Sequence, residues 1–153
     1  MPRFLPSVFL ALVVVLFTGC AASSAPTSSL ASVRKVFVQD AQSSGVTEAD
    51  ALADAVHDAS VHELARLGYV ATRTSAEAQA ILRSSWRVNR SADGRVSLAL
   101  SQSLFDPAGR RLMTTDSGTA LSVNFWNESA VRRAVEQGLA RLPKVAPAAS
   151  VQK

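Results

Sequence analysis

The side chains best equipped for chemistry are gathered on one stretch: Asp54, His57, Asp58, His62 and Glu63. Imidazoles and carboxylates are common zinc ligands and common general acids and bases. On a helix, Asp58 and His62 are four apart and share a face, and Asp54 and His57 are three apart. The run His62-Glu63-Leu64-Ala65-Arg66 begins like the zinc motif HExxH but puts an arginine where the second histidine is required. His57 and His62 are five apart and diverge around a helix, so the expectation is a hydrated face with local ion pairs, holding neither a metal nor any other cofactor. No serine sits in a Gly-x-Ser-x-Gly elbow, and no hydroxyl has a base placed beside it. Asp93, Asp106 and Asp116 fall in or near turn sequences, where aspartate serves the backbone. Ser117-Gly118-Thr119 is too short and polar for a phosphate loop, and the chain is expected to be non-catalytic.

One further residue carries reactive chemistry. Cys20 is the only cysteine. Before it come Arg3, an apolar run over 8–17, and the small residues Thr18 and Gly19, which together are the parts of a secretory signal. The run is short of the ~20 residues a spanning helix needs. A lone cysteine in an exported domain also has no intramolecular disulfide partner. The segment Leu16-Phe17-Thr18-Gly19-Cys20 resembles the lipobox of bacterial lipoproteins, with Phe17 where leucine is usual. That resemblance implies cleavage between Gly19 and Cys20, a diacylglycerol on the Cys20 thiol, and further acylation such as palmitate. Several chains hold a protein on a membrane where one does not. Ala21, in place of an aspartate, points by the same resemblance to the periplasmic face of the outer membrane.

The remainder divides simply. Residues 1–19 read as signal peptide, and 20–32 as the lipidated cysteine followed by a tether of small polar residues. Residues 33–142 form one α+β domain of ordinary single-core size, and 143–153, with Pro143 and Pro147, read as a disordered tail. The net charge of +4 is scattered, without basic blocks or interleaved aromatics, so no nucleic-acid partner is expected.

Hydrophobic spacing supplies the elements. Residues 33–39 alternate as a first strand. Thr47 opens a helix that puts Leu52, Val56, Ser60, Leu64 and Leu67 on one face and ends at Gly68. Residues 69–73 make a short second strand. Ala80, Leu82, Ser84, Trp86 and Val88 share one side of the next strand, which puts Trp86 in the core and Arg83, Arg87 and Arg95 on the solvent side. Ser91-Ala92-Asp93-Gly94 turns the chain into a partner strand, and 111–123 adds another, with a bulge at Gly118. Asn124 or Asn127 caps a last amphipathic helix. The predicted order is β-α-β-β-β-β-α: an antiparallel sheet of four to five strands with two helices packed on one face.

The helix end Leu64-Ala65-Arg66-Leu67-Gly68-Tyr69, the run from Ala76 to Leu82, the stretch from Leu104 to Leu112 and the terminal helix resemble small outer-membrane lipoprotein domains of the LptE, CsgG and TolB-N-terminal class. The resemblance implies a non-catalytic plug, chaperone or scaffold in envelope machinery, working with an envelope protein partner and held to the membrane by its N-terminal lipid. Phe125 and Trp126, just before the last helix, stand as a junction contact or a partner-facing aromatic anchor. Arg83, Arg87 and Arg95 are candidate contacts on the exposed sheet. The leading reading is a membrane-anchored binding or assembly accessory. The alternative is a lipoprotein holding a small glycan or lipid between sheet and helices.

Overall fold

The computed structural model describes residues 29–42 and 44–146. The expected signal segment, Gly19, Cys20 and the expected tether as far as 28 lie outside the described residues, as does the expected tail beyond 146. The elements are β1 (Lys35–Gln42), α1 (Thr47–Asp50), α2 (Ala53–Arg66), β2 (Val70–Thr72), β3 (Ala80–Arg90), β4 (Val96–Phe105), β5 (Arg111–Asp116), β6 (Leu121–Ser122) and α3 (Glu128–Leu139). They build the expected α+β sandwich, with the helices on one face of a 6-stranded sheet ordered β2-β1-β3-β4-β5 and β6 paired to β4.

The sheet is mostly antiparallel, yet β1 runs parallel to both of its neighbours, β2 and β3. A helix joining adjacent strands returns the chain to its starting end, so β2 must run as β1 does. The connection through 73–79 then crosses to the other flank of β1, and β3 starts from that same end. The strand expected over 111–123 is two strands, because the chain steps away at Gly118, whose φ of 84° is left-handed and suits glycine. Ser117 bridges the gap: its hydroxyl accepts from the Leu100 amide at 2.9 Å, and its own amide donates to the Leu100 carbonyl at 2.7 Å.

Local chemistry fixes the helix ends. The helix expected to run unbroken from Thr47 is in two pieces, separated at Ala51 and Leu52. Thr47 is not its cap; that place falls to Val46, which offers no side-chain acceptor, while the Ser44 amide reaches Asp50 Oδ1 at 3.2 Å. Gly68 closes α2 with φ 90°: its amide donates to the Ala65 carbonyl at 3.0 Å and that of Tyr69 to the Leu64 carbonyl at 2.9 Å, a Schellman ending. At α3 the cap is Asn127, whose Oδ1 accepts from the Ala130 amide at 3.0 Å. The segment 143–146 lies on the domain instead of trailing from it. Its Val145 amide donates to the Leu67 carbonyl at 2.8 Å, and the Tyr69 hydroxyl donates to the Pro143 carbonyl at 2.9 Å. Leu30–Ser32, within the expected tether, is a 3-10 turn whose leucine packs on the core.

Alternation puts Val36 and Val38, Leu82 and Trp86, and Leu98, Leu100 and Leu104 on the covered face of the sheet, against Val56, Leu64, Val131, Val135 and Leu139 of the helices. Each fully buried aliphatic contributes on the order of 1.5–3 kcal/mol. Inside this layer lies a polar cluster. Gln102 Nε2 donates to Ser60 Oγ at 3.1 Å and to Ser84 Oγ at 3.3 Å, and Ser60 Oγ donates to the Val56 carbonyl at 2.7 Å. Gly138 of α3 presses on this cluster, where a Cβ would stand 2.8 Å from Gln102 Oε1 and 3.1 Å from Thr115 Oγ1.

Candidate functional site

The acid and histidine stretch of α2 is dispersed by the fold. His57 turns to β1, where its Nδ1 lies 3.2 Å from Asp40 Oδ1. Glu63 is buried, and the fork of Arg66 takes both its oxygens at 2.6 Å, so the arginine that breaks the zinc motif is the partner of its glutamate. Hydrogen bonding to Glu63, followed by its charge, holds the Arg66 guanidinium above its ordinary pKa. His62 instead lines a groove of about 670 Å³ between α2 and α3, with Asp54, Asp58, Glu128 and Arg132. Among the described residues no three metal-capable side chains converge.

The turn aspartates are likewise engaged. Asp106 is buried, its Oδ1 accepting the Arg110 amide at 2.8 Å and its Oδ2 the same residue's guanidinium at 2.7 and 2.8 Å. The Arg110 amide is the main cause that holds this carboxyl below its ordinary value, against the opposing effect of burial. Asp93 is lowered too, first by the Ser91 hydroxyl and then by the Arg95 amide.

The uncovered face of the sheet separates the three candidate arginines. Arg95 lies at the hairpin tip, its Nε 3.0 Å from Asp93 Oδ2, and Arg87 lies 3.8 Å from Asp116 on β5. Among the described residues no carboxylate pairs with Arg83. Its Nε donates to Gln39 Oε1 at 3.0 Å, and its guanidinium lies 4.8 Å from the centroid of Phe105. Arg111 reaches the same ring at 5.7 Å. The three meet because Arg83 is diagonal to Phe105 across β3 and β4, while Arg111 is paired with Phe105 across β4 and β5. Neither Arg111 nor Phe105 was marked by sequence spacing, since only strand register brings them to Arg83.

Phe125 and Trp126 are split by the chain. Trp126 is buried: its Nε1 donates to the Leu98 carbonyl at 3.0 Å and its ring meets Trp86 edge-to-face, with centroids 5.0 Å apart. The 3-10 turn Val123–Phe125 puts Phe125 on the other side, 69% exposed. Leu121, 38% exposed, stands nearby in sequence on β6. A cleft of about 280 Å³ has Leu121, Trp126, Ala130 and Ala134 in its lining together with the polar Ser117, Thr119, Arg133 and Gln137; Phe125 is not part of it. The exposed aromatic was foreseeable as one of a pair, but which member would face outward depends on the turn.

A ligand between sheet and helices would need space that Leu64, Leu82, Leu98, Leu100, Leu104 and Leu139 occupy, each below 2% exposed. The two ends of the sandwich differ. At one, residue 29 leads into β1 and the helices finish; at the other lie the β3–β4 hairpin, β6 and Phe125.

No protein-family model matches the chain, and no curated protein matches it in sequence. Its structure is similar to a PelC dodecamer from Paraburkholderia phytofirmans, with a TM-score of 0.52 and 14% identity over 73% of this chain and 89% of that one. A PelC dodecamer from the same organism in another crystal form gives 0.49 and 16% identity, over 76% and 93% of the chains. A minor lipoprotein from Acinetobacter baumannii gives 0.41 and 15%, over 74% and 98%. What the chain shares with PelC, at this identity, is its fold.

Proposed function

We propose that the chain is a lipid-anchored, non-catalytic accessory of the bacterial cell envelope, held through Cys20 at the periplasmic face of the outer membrane and binding an envelope protein through the patch around Phe125. The observation that carries this reading is the exposure of Phe125 and of Leu121, which lines a small cleft of mixed polarity; among the described residues the only other exposed large hydrophobic is Val70. Aromatic side chains, phenylalanine included, are enriched at protein interfaces relative to the rest of the surface. The patch lies at the end of the sandwich opposite the one where the chain from Cys20 joins β1, so a partner can approach while the anchor is inserted. The similar fold of PelC occurs in a dodecamer, which is consistent with a fold used in assemblies.

The test is crosslinking in membranes followed by affinity recovery of wild type, Cys20→Ala and Phe125→Ala. The expected result is a discrete envelope protein recovered with wild type, depleted with Cys20→Ala, and lost with Phe125→Ala although that variant stays membrane-bound. Recovery of the same protein with Phe125→Ala at wild-type yield would refute the assigned patch.

A further inference from the structure

The uncovered sheet face has a polarity along the strands. At the end where residue 29 leads into β1, its register rows hold Lys35, then Phe37, Ile81, Phe105 and Arg111, then Arg83 with Gln39, Ser103 and Thr114. No carboxylate stands in these rows; the first on this face is Asp116, one row further, beside Arg87. Phe37, Ile81 and Phe105 are half-buried, while Lys35, Arg83 and Arg111 are exposed. Arg83 and Arg111 are steadied over the Phe105 ring, a contact that orients a guanidinium without neutralising it. Of the other carboxylates near this end, Glu63 and Asp106 are buried and each taken by an arginine, while Glu77, in the 73–79 connection, and Glu136, in the last turns of α3, are exposed and stand outside these rows.

We infer that Lys35, Arg83 and Arg111, with the apolar row at Phe105, form a docking face for the anionic phospholipid headgroups of the membrane that holds the chain. The inference rests on the lipoprotein reading of Cys20 and deepens it. Residues 21–28 span at most about 30 Å when fully extended, and they join the domain at the end that carries these cations. The length of β3 alone is about 37 Å, so this end is the one the tether lets reach the surface most readily, where exposed charges act over ~10 Å at moderate salt. Guanidinium forks match phosphate oxygens in pairs, and the aromatic and aliphatic row suits the boundary between headgroups and acyl chains.

The test uses the unlipidated chain from Ala21 onward, which keeps every described residue and so the whole packed domain. It is sedimented with vesicles of phosphatidylcholine alone and of phosphatidylcholine mixed with phosphatidylglycerol. Binding only to the anionic vesicles, released by salt, is expected. Near an anionic surface each basic side chain is worth roughly a fivefold gain in partitioning, so Arg83→Gln with Arg111→Gln should lower it about thirtyfold. Arg90→Gln with Arg132→Gln, exposed on β3 beside the hairpin and on α3 and equal in charge change, should leave it nearly unaltered. Thermal melting of each variant checks that it is folded, and Lys35→Gln supplies a separate, smaller loss. Equal binding to both vesicle types, equal loss from both double variants, or displacement from vesicles by a soluble anionic polysaccharide overturns the inference. Palmitate labelling of the full-length chain reports on Cys20 separately: a labelled chain whose unlipidated form ignores anionic vesicles defeats the docking face and leaves the anchor standing.

Discussion

Gly138→Ala is the sharpest test of how α3 is seated. Gly138 is inside a helix and has no left-handed φ, so alanine there should stabilise by about 1 kcal/mol through helix propensity alone. The packing argues the reverse. The new methyl would stand 2.8 Å from Gln102 Oε1, closer than carbon and oxygen tolerate, and 3.1 Å from Thr115 Oγ1, a tight contact that needs a small shift. Gln102 is 2% exposed and tied to Ser60 and Ser84, so it yields only by giving up those bonds, or α3 must lift from the sheet. Overpacking of this kind costs about 1–3 kcal/mol, and each lost bond about 1 kcal/mol. The net expectation is a loss of about 1–2 kcal/mol, or roughly 4–8 °C in Tm. Urea unfolding with an unchanged slope would show that stability moved and not the unfolded state. Gln102→Ala made in the Gly138→Ala background should recover much of the loss, giving a coupling on the order of 1 kcal/mol in the double-mutant cycle. A Gly138→Ala protein as stable as wild type, or more so, would refute the close approach.

The neighbours Phe125 and Trp126 should differ sharply: Trp126→Ala costs about 3–5 kcal/mol, Phe125→Ala within about 0.5 kcal/mol, as read from urea midpoints. Similar costs would contradict their placement on opposite sides of the turn. Asp106, held below its ordinary value chiefly by the Arg110 amide, binds its proton less readily folded than unfolded. Its contribution is therefore complete above the unfolded value near ~4 and is lost as pH falls through the folded one. Asp106→Asn should flatten the decline of stability below about pH 4, and an unaltered acid limb in pH-dependent unfolding would count against the assignment.

What spacing reveals in this chain is whatever is decided locally. The alternation through Leu82, Ser84 and Trp86 is a property of one strand, and it places Trp86 in the core without knowledge of its neighbours. Gly68 and Asn127 mark helix ends because their chemistry acts within a turn. Relations between distant elements are not written this way. That β1 has parallel neighbours follows from where two connections return, and no residue in β1 encodes it. Gly138 reads as one more small residue on an apolar stripe until Gln102 is placed opposite. The candidate surfaces are harder still: Arg83 was visible as an outward arginine, but its separation from Arg87 and Arg95 depends on carboxylates delivered by β5 and the hairpin tip. The break between α1 and α2 has no glycine or proline to announce it.

The position of β1 has a mechanical consequence. It is an interior strand with parallel neighbours on both sides, and the chain leading from Cys20 joins at its start. In the proposed arrangement, a pull between the membrane and a partner at the Phe125 end would run along the axis of β1, across the direction of its hydrogen bonds. The bonds to β2 and β3 then resist sliding together, instead of opening singly from one end. A strand seated in this way would transmit tension from the proposed anchor through the domain while its ladders stay closed.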